Sequence, residues 1–280
     1  MTLIHSIPQE LITSQVTLAL QEDVGQQDLT ADLIPIDATA KATIISREQA
    51  VLCGQAWCDE VFSQLDPKVQ ITWHFNDGET VQENEPLCTL EGPARSLLTG
   101  ERTAMNFIQT LSATATLVKQ YTDKVKGLTV DILDTRKTIP MLRLAQKYAV
   151  LCGGGVNHRV GLYDGILIKE NHINAAGSIA NAVQQARDLH NNIAIEVEVE
   201  SMDELEQALN ADADIILLDN FDIPSLQTAI SINQGKAKLE ASGGITIDNL
   251  RAIAETGVDR ISIGALTKDI RAIDLSMRFI

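Results

Sequence analysis

The sequence predicts an α/β protein in which a small α+β domain precedes a barrel of parallel βα units. Three observations predict it. Up to about Thr110 strand and helix signals are mixed. From Thr129 onward short apolar runs alternate with helical stretches. The last four of these runs recur at a nearly constant spacing, as repeated βα units do when they close toward a barrel.

The elements follow in chain order. Pro8–Leu20 reads as a helix with Leu11, Ile12, Leu18 and Leu20 as its apolar positions. Thr39–Ser46 alternates and is rich in β-branched residues, so it reads as a strand. Val69–Phe75 and Thr80–Leu90 read as strands on either side of Asn76-Asp77-Gly78, a turn signal. Within this stretch Gly78–Leu87 resembles the hairpins of lipoyl-type β modules, but no lysine sits at its tip and carrier function is not implied. Glu101–Lys126 reads as one long helix with a stripe through Met105, Ile108, Leu111, Ala115 and Val118. Six strands follow: Val130–Leu133, Gly165–Ile168, Ile193–Val199, Asp214–Leu218, Lys238–Ala241 and Arg260–Ile263. Helices are expected at Ser201–Asn210, Pro224–Ile232 and Ile247–Glu255, and after Pro140. Six strands fall short of a complete eight-strand barrel, so the barrel is expected to be incomplete.

Composition narrows the function classes. The chain has 280 residues, 45% of them hydrophobic, which is ample for a buried core; only 4% are aromatic, so aliphatic residues must build it. The net charge of −16 argues against nucleic acid as a partner. No apolar run approaches a membrane span, and Met1–Glu10 shows no basic-then-apolar leader. Cys53, Cys58, Cys88 and Cys152 lack metal-binding or Cys-x-x-Cys spacing and read as reduced thiols of a cytoplasmic protein.

In βα barrels functional groups sit at the C-terminal ends of strands. Here the six ends read Asp134-Thr135-Arg136-Lys137-Thr138, Lys169-Glu170-Asn171-His172, Glu196 with Glu198 and Glu200, Asp219-Asn220, Ser242-Gly243-Gly244 and Gly264-Ala265. Strand side chains alternate faces, so Val197 and Val199 should face outer helices while Glu196, Glu198 and Glu200 face the interior. Interior carboxylates need cations, metal or ligand hydroxyls. The alternative is an edge strand with a solvated acidic face. Between Arg136 and Lys169 the charge inverts: Arg136, Lys137, Arg143, Lys147, His158, Arg159 and Lys169 stand against Asp164 alone. Arg143 and Lys147 read as supporting or surface charges. Gly153-Gly154-Gly155 lets the backbone that carries His158 and Arg159 approach a ligand closely. The late glycines at Ser242-Gly243-Gly244 and Gly264 suit phosphate cradling, although a plain turn would read the same way.

Taken in order, these motifs resemble the quinolinate phosphoribosyltransferase family nearly end to end. Glu22-Asp23 with Asp28-Leu29-Thr30, and Glu101-Arg102-Thr103-Ala104 with Asn106, extend the match at the N-terminal side. The resemblance implies an N-terminal α+β sandwich-like domain (residues 1–111) followed by an incomplete seven-strand parallel α/β barrel (residues 112–267). Residues 268–280 are candidates to return to the first domain. It implies phosphoribosyl transfer from phosphoribosyl pyrophosphate to quinolinate with decarboxylation, giving nicotinate mononucleotide, pyrophosphate and CO2 in NAD biosynthesis. Arg102, Thr135, Arg136, His158, Arg159 and Lys169 would bind quinolinate, with Arg102 reaching across a homodimer. Lys137, Glu198 and Asp219 would be catalytic, the two carboxylates also holding Mg²⁺, directly or through water. Ser242, Gly243, Gly244, Ile263, Gly264 and Ala265 would hold the 5′-phosphate.

The chemistry accounts for these residue types. Quinolinate is a dianion and its co-substrate carries several more charges, so clustered Arg and Lys must offset their repulsion and orient each carboxylate. Three rival readings stay open at this point. Lys169 could form a Schiff base, the fold could serve as a non-enzymatic anion-binding module, or another aromatic acid could be the acceptor.

Overall fold

The computed structural model describes residues 7–280, so most of the segment on which the leader expectation rests lies outside the described residues. The chain forms two compact units, which interleave in sequence. Of the described residues, one comprises 7–119, Ile139–Gly154 and Asp269–Ile280; the other comprises Gln120–Thr138 and Gly155–Lys268. By contacts, the segment Ile139–Gly154 groups with the first unit.

The first unit opens with α1 (Gln9–Val24), which Gly25 ends at a φ of 59°. Then come β1 (Thr39–Ser46), β2 (Ala50–Val51), α2 (Gln55–Leu65), β3 (Gln70–Trp73), β4 (Thr80–Val81), β5 (Pro86–Pro93) and α3 (Ala94–Lys124). The segment Ile139–Gly154 adds α4 (Arg143–Cys152), and the C-terminal segment adds β12 (Leu275–Phe279). β12 pairs with β1, β1 with β5 and β5 with β3, all antiparallel. The expected strand Thr80–Leu90 is a correction: it breaks at Asn84, whose φ is 66°, and β4 pairs with β2 instead of β3. The Asn-Asp-Gly turn thus does not join a simple hairpin. The long helix also begins at Ala94, seven residues (101 − 94) before the expected Glu101.

Trp57, Phe62, Leu90, Leu97, Met105 and Ile108 are among the buried residues of this unit's core. Burying each such side chain contributes roughly 1.5–3 kcal/mol. Trp57 keeps its polar end satisfied by donating to Gln15 Oε1 at 2.7 Å. Lys147 is fully buried on α4, which leaves the supporting role and removes the surface one of the two expected for it.

In the second unit, β6 (Asp131–Leu133), β7 (Ile166–Ile168), β8 (Ile195–Val199), β9 (Ile215–Asp219), β10 (Lys238–Ser242) and β11 (Arg260–Ser262) form one parallel sheet in the order β6-β11-β10-β9-β8-β7. The helices between them are α5 (Glu170–Ala176), α6 (Ile179–Leu189), α7 (Met202–Asn210), α8 (Ile223–Asn233) and α9 (Leu250–Ala254), with α10 (Ala265–Lys268) after β11. Ser178, Ser201 and Asp222 cap α6, α7 and α8 by accepting a backbone N–H, which sets where each helix starts. Six strands are therefore present among the described residues. On the free side of β6, Val156 makes a single parallel bridge to Leu133, so the seventh strand position is occupied by one residue only. No pairing among the described residues joins β6 to β7, and the barrel is open there.

Candidate active site

Parallel pairing places all six strand C-terminal ends on one side of the sheet. There they surround a cavity of about 490 Å³. Thr135, Arg136 and Lys137 line it from the end of β6, Lys169 from β7, Glu198 from β8, Asp219 from β9 and Ser242 from β10; His158 and Arg159 come from the loop after Val156. The expected residues are thus brought together from six separate chain segments.

The loop bearing His158 and Arg159 is held from below by Asp134, which is fully buried just beyond β6. One carboxylate oxygen of Asp134 accepts the His158 backbone N–H at 2.8 Å, and the other accepts from Asn157 Nδ2 at 2.8 Å. Arg159 donates to the Gly165 carbonyl at 3.2 Å. Burial and the nearby Arg136 charge lower the Arg159 pKa, against the opposing pull of Glu196 and Asp164. Two guanidinium groups at close quarters repel each other, and an anion between them would relieve that repulsion.

Lys169 forms an ion pair with Glu198. That pairing engages the amine that the Schiff-base reading would need free for attack on a carbonyl, and so disfavours that reading. Asp219 accepts from Asn220 Nδ2 at 2.7 Å, and the Asn220 backbone N–H donates to the Ser242 carbonyl at 2.9 Å, tying the ends of β9 and β10 together. Gly243 completes this junction: its φ is 92° and a Cβ there would lie 2.2 Å from Asn220 Oδ1.

The expected phosphate residues divide. Ser242 lines the cavity. Gly264 adjoins it, since a Cβ on Gly264 would lie 2.9 Å from Cδ of Lys137. Ile263 does not offer its amide, which already donates to the Leu133 carbonyl at 2.9 Å while its side chain is buried. Gly243, Gly244 and Ala265 follow the ends of β10 and β11 without lining the cavity. Arg102 is exposed on α3 and is not among the lining residues. Glu200 corrects the alternation reading: it lies past the end of β8 and is exposed, while Glu196 is buried and Glu198 half-buried.

His158 faces inward. Its Nδ1 accepts the Arg159 backbone N–H at 2.9 Å, while Nε2 lies 3.0 Å from Glu196 and 3.5 Å from Glu240. These three side chains have spacings that a metal ion could span. The chemistry argues otherwise. An Nδ1 that accepts a hydrogen bond puts the ring proton on Nε2, where a metal would have to bind, and the Arg159 and Arg260 charges already offset the carboxylates. The group is a buried polar network, and both imidazole nitrogens face protein groups.

Comparison with known proteins places this geometry. Residues 114–278 match the family described as "Quinolinate phosphoribosyl transferase, C-terminal domain", and residues 26–112 match its N-terminal domain. The chain belongs to the quinolinate phosphoribosyltransferase family. It is 42% identical to the probable carboxylating nicotinate-nucleotide pyrophosphorylase of Bacillus subtilis over 91% of this chain and 89% of that protein. It is 37% identical to a Nicotiana tabacum protein named quinolinate phosphoribosyltransferase [decarboxylating] 1b, over 94% of this chain and 81% of that one. The solved structure of the nicotinate-nucleotide pyrophosphorylase from Francisella tularensis superimposes with a TM-score of 0.98 at 49% identity, covering 100% of both chains. The expected α/β fold and family assignment are borne out.

Within this family member the sequence reading missed Glu240 and Ser262, which also line the cavity, and Arg260 beneath them. The signal was available. Lys238, Glu240 and Ser242 alternate with the buried Leu239 and Ala241, and Arg260 and Ser262 flank the buried Ile261. The face argument applied to Glu196 and Glu198 holds equally for β10 and β11.

Proposed function

We infer that this chain transfers the phosphoribosyl group of phosphoribosyl pyrophosphate to quinolinate and releases CO2, forming nicotinate mononucleotide. The observation that carries the reading is the convergence of Arg136, Lys137, Arg159 and Lys169 on one cavity in a chain of net charge −16. Arg136 and Arg159 hold the quinolinate carboxylates, each able to bind one through paired hydrogen bonds, and Lys169 contributes a further charge. Thr135 adds a hydroxyl at the same end of β6. His158 supports the loop through Glu196 and Glu240. Ser242 and the adjoining Gly264 hold the 5′-phosphate, with Gly243, Gly244 and Ala265 just beyond the cavity wall at the same strand ends, and Lys137 faces the sugar phosphate.

Glu198 and Asp219 present hard carboxylate oxygens to the same cavity, a donor set that suits Mg²⁺ together with substrate phosphates. Glu198 is already engaged by Lys169, which makes Asp219 the more available of the two. Bound Mg²⁺ would neutralise charge on the departing pyrophosphate. The protein groups orient the pyridine nitrogen toward the anomeric carbon, and the carboxylates of Glu198 and Asp219 stabilise positive charge developing on the ribose. No covalent bond to the protein is required.

The reading includes a homodimer in which the exposed Arg102 completes the partner's cavity. It also includes the cytoplasm as the working compartment, in keeping with four free cysteines and with the absence, among the described residues, of a helix long and apolar enough to cross a membrane. Purified protein incubated with quinolinate, phosphoribosyl pyrophosphate and Mg²⁺ should form nicotinate mononucleotide and CO2, with nicotinate as the control acceptor. Turnover of nicotinate but not quinolinate would reject the assignment. Mixing Arg102→Ala with Lys169→Ala protein tests the shared site: activity should partly return, and none despite proven subunit exchange would reject it.

A further inference from the structure

Beneath the cavity lies a polar layer that the transfer reaction leaves without a task. Glu240 pairs in register with Leu217 of β9 on one side and Arg260 of β11 on the other. Oε1 of Glu196 and Nη1 of Arg260 are buried and find no hydrogen-bond partner among the described residues, and the buried carboxyl of Glu240 has the Ser262 hydroxyl beside it as a hydrogen-bonding group. Unsatisfied buried polar atoms are costly, and such a concentration needs a reason.

The groups facing Glu240 are Glu196 from β8, His158 from the loop after Val156, Arg260 and Ser262 from β11, and the apolar Leu217. Glu196 and Glu240 both approach the same imidazole nitrogen, at 3.0 and 3.5 Å. A buried carboxyl group with a second carboxyl group close by is disfavoured as a carboxylate. Burial and the Glu196 charge push Glu240 up to about 7, against the opposing influence of His158, Ser262 and Arg260.

Decarboxylation creates a matching need. When CO2 leaves, the bonding electron pair stays on the ring carbon beside the pyridinium nitrogen, and that carbon must receive a proton. We propose that Glu240 stores this proton and delivers it through the Ser262 hydroxyl. Ser262 stands two residues beyond Arg260 on the same face of β11, one step nearer the strand ends, and both Glu240 and Ser262 line the cavity. The Ser262 O–H proton moves to the ring carbon as its oxygen takes the proton of Glu240, which becomes a carboxylate. One C–C bond breaks, one C–H bond forms, and no electrons are gained or lost overall. A second cavity, of about 210 Å³, opens at the opposite ends of the strands and reaches Glu196 and Arg260. Solvent there reaches Glu196, the carboxyl neighbour of Glu240, so the proton can be restored by way of Glu196 while product still fills the upper cavity. The role rests on the decarboxylating reaction proposed above.

Glu240→Gln is the decisive variant, because glutamine keeps the size and neutrality of the protonated acid but has no acidic proton. Steady-state and pH-rate measurements would compare it with wild type, Glu240→Asp and Ser262→Ala. Glu240→Gln and Ser262→Ala should lose roughly 10²-fold in kcat, a typical general-acid contribution, with KM for both substrates unchanged. Wild-type kcat should decline as pH rises through about 7, and this limb should vanish in Glu240→Gln and persist in Glu240→Asp. Wild-type kcat and an unaltered pH profile in Glu240→Gln would overturn the proposal. So would a defect confined to KM or thermal stability, which is the signature of a structural role. Wild-type protein that releases no CO2 from quinolinate would instead remove the activity, and this role with it.

Discussion

Replacing Asp134 by alanine should damage the protein disproportionately for a residue that does not line the cavity. Its carboxylate is fully buried and accepts two hydrogen bonds at 2.8 Å, from the His158 backbone and from Asn157 Nδ2. Hydrogen bonds to a charged group contribute about 1.5–3 kcal/mol each, so losing both should cost about 3–6 kcal/mol, less whatever water recovers by entering the gap. Asp134→Asn keeps one carbonyl oxygen but turns an N–H toward one of the two donors, so it should cost about half as much. The loop carrying His158 and Arg159 would lose its anchor in both variants. Urea unfolding monitored by far-UV circular dichroism measures the first effect. The quinolinate KM, measured well below the unfolding midpoint, reads the second and should rise while the KM for phosphoribosyl pyrophosphate changes little. A loss of less than about 1 kcal/mol in Asp134→Ala would refute the reasoning, because it would mean that these two acceptors are readily replaced.

Three further substitutions test other parts of the structure. Gly264→Ala would place a Cβ 2.9 Å from Cδ of Lys137, a flexible side chain that can move aside. Stability should therefore change by less than about 1 kcal/mol while kcat/KM falls at least tenfold, since about an ångström of displacement at a reacting centre is costly; unchanged kcat/KM would show that Lys137 is not positioned by this contact. Gly100→Ala would bring a Cβ within 2.5 Å of the Phe62 ring and 2.9 Å of Leu65, both in the packed first unit. It should destabilise by about 1–3 kcal/mol, read as a lower denaturant midpoint. Because Glu240 is pushed up to about 7 by burial, the folded state holds more protons than the unfolded state between the ordinary carboxyl value of 4.5 and about 7. Its contribution to stability is therefore lost as pH rises through that window, and Glu240→Gln should flatten that part of the Tm-against-pH curve.

Much of the second unit was legible because strand alternation and helix capping are local. The runs ending at Asp134, Lys169, Asp219 and Ser242 were recognisable from neighbouring residues alone, and parallel pairing then carried their ends to one side. The first unit was less legible. The stretch Thr80–Leu90 has the composition of one strand, yet Asn84 breaks it and β4 takes a different partner from β5. Nothing local distinguishes those pairings, because partner choice depends on what else the sheet must cover.

The sequence by itself determined the family, the α/β class, the charge inversion between Arg136 and Lys169, and most of the residues that line the cavity. Only the tertiary structure decided which charges are buried. Lys147 reads like any helix lysine but is enclosed, and Glu200 continues the alternation of Glu196 and Glu198 but lies in solvent beyond the strand end. It also decided that His158 turns its ring toward Glu196 and Glu240, two carboxyl groups from different strands. Burial and partnership across strands are properties of distant segments meeting. Their energetic consequences, above all the upward push on the Glu240 carboxyl, arise only when those segments exclude water together.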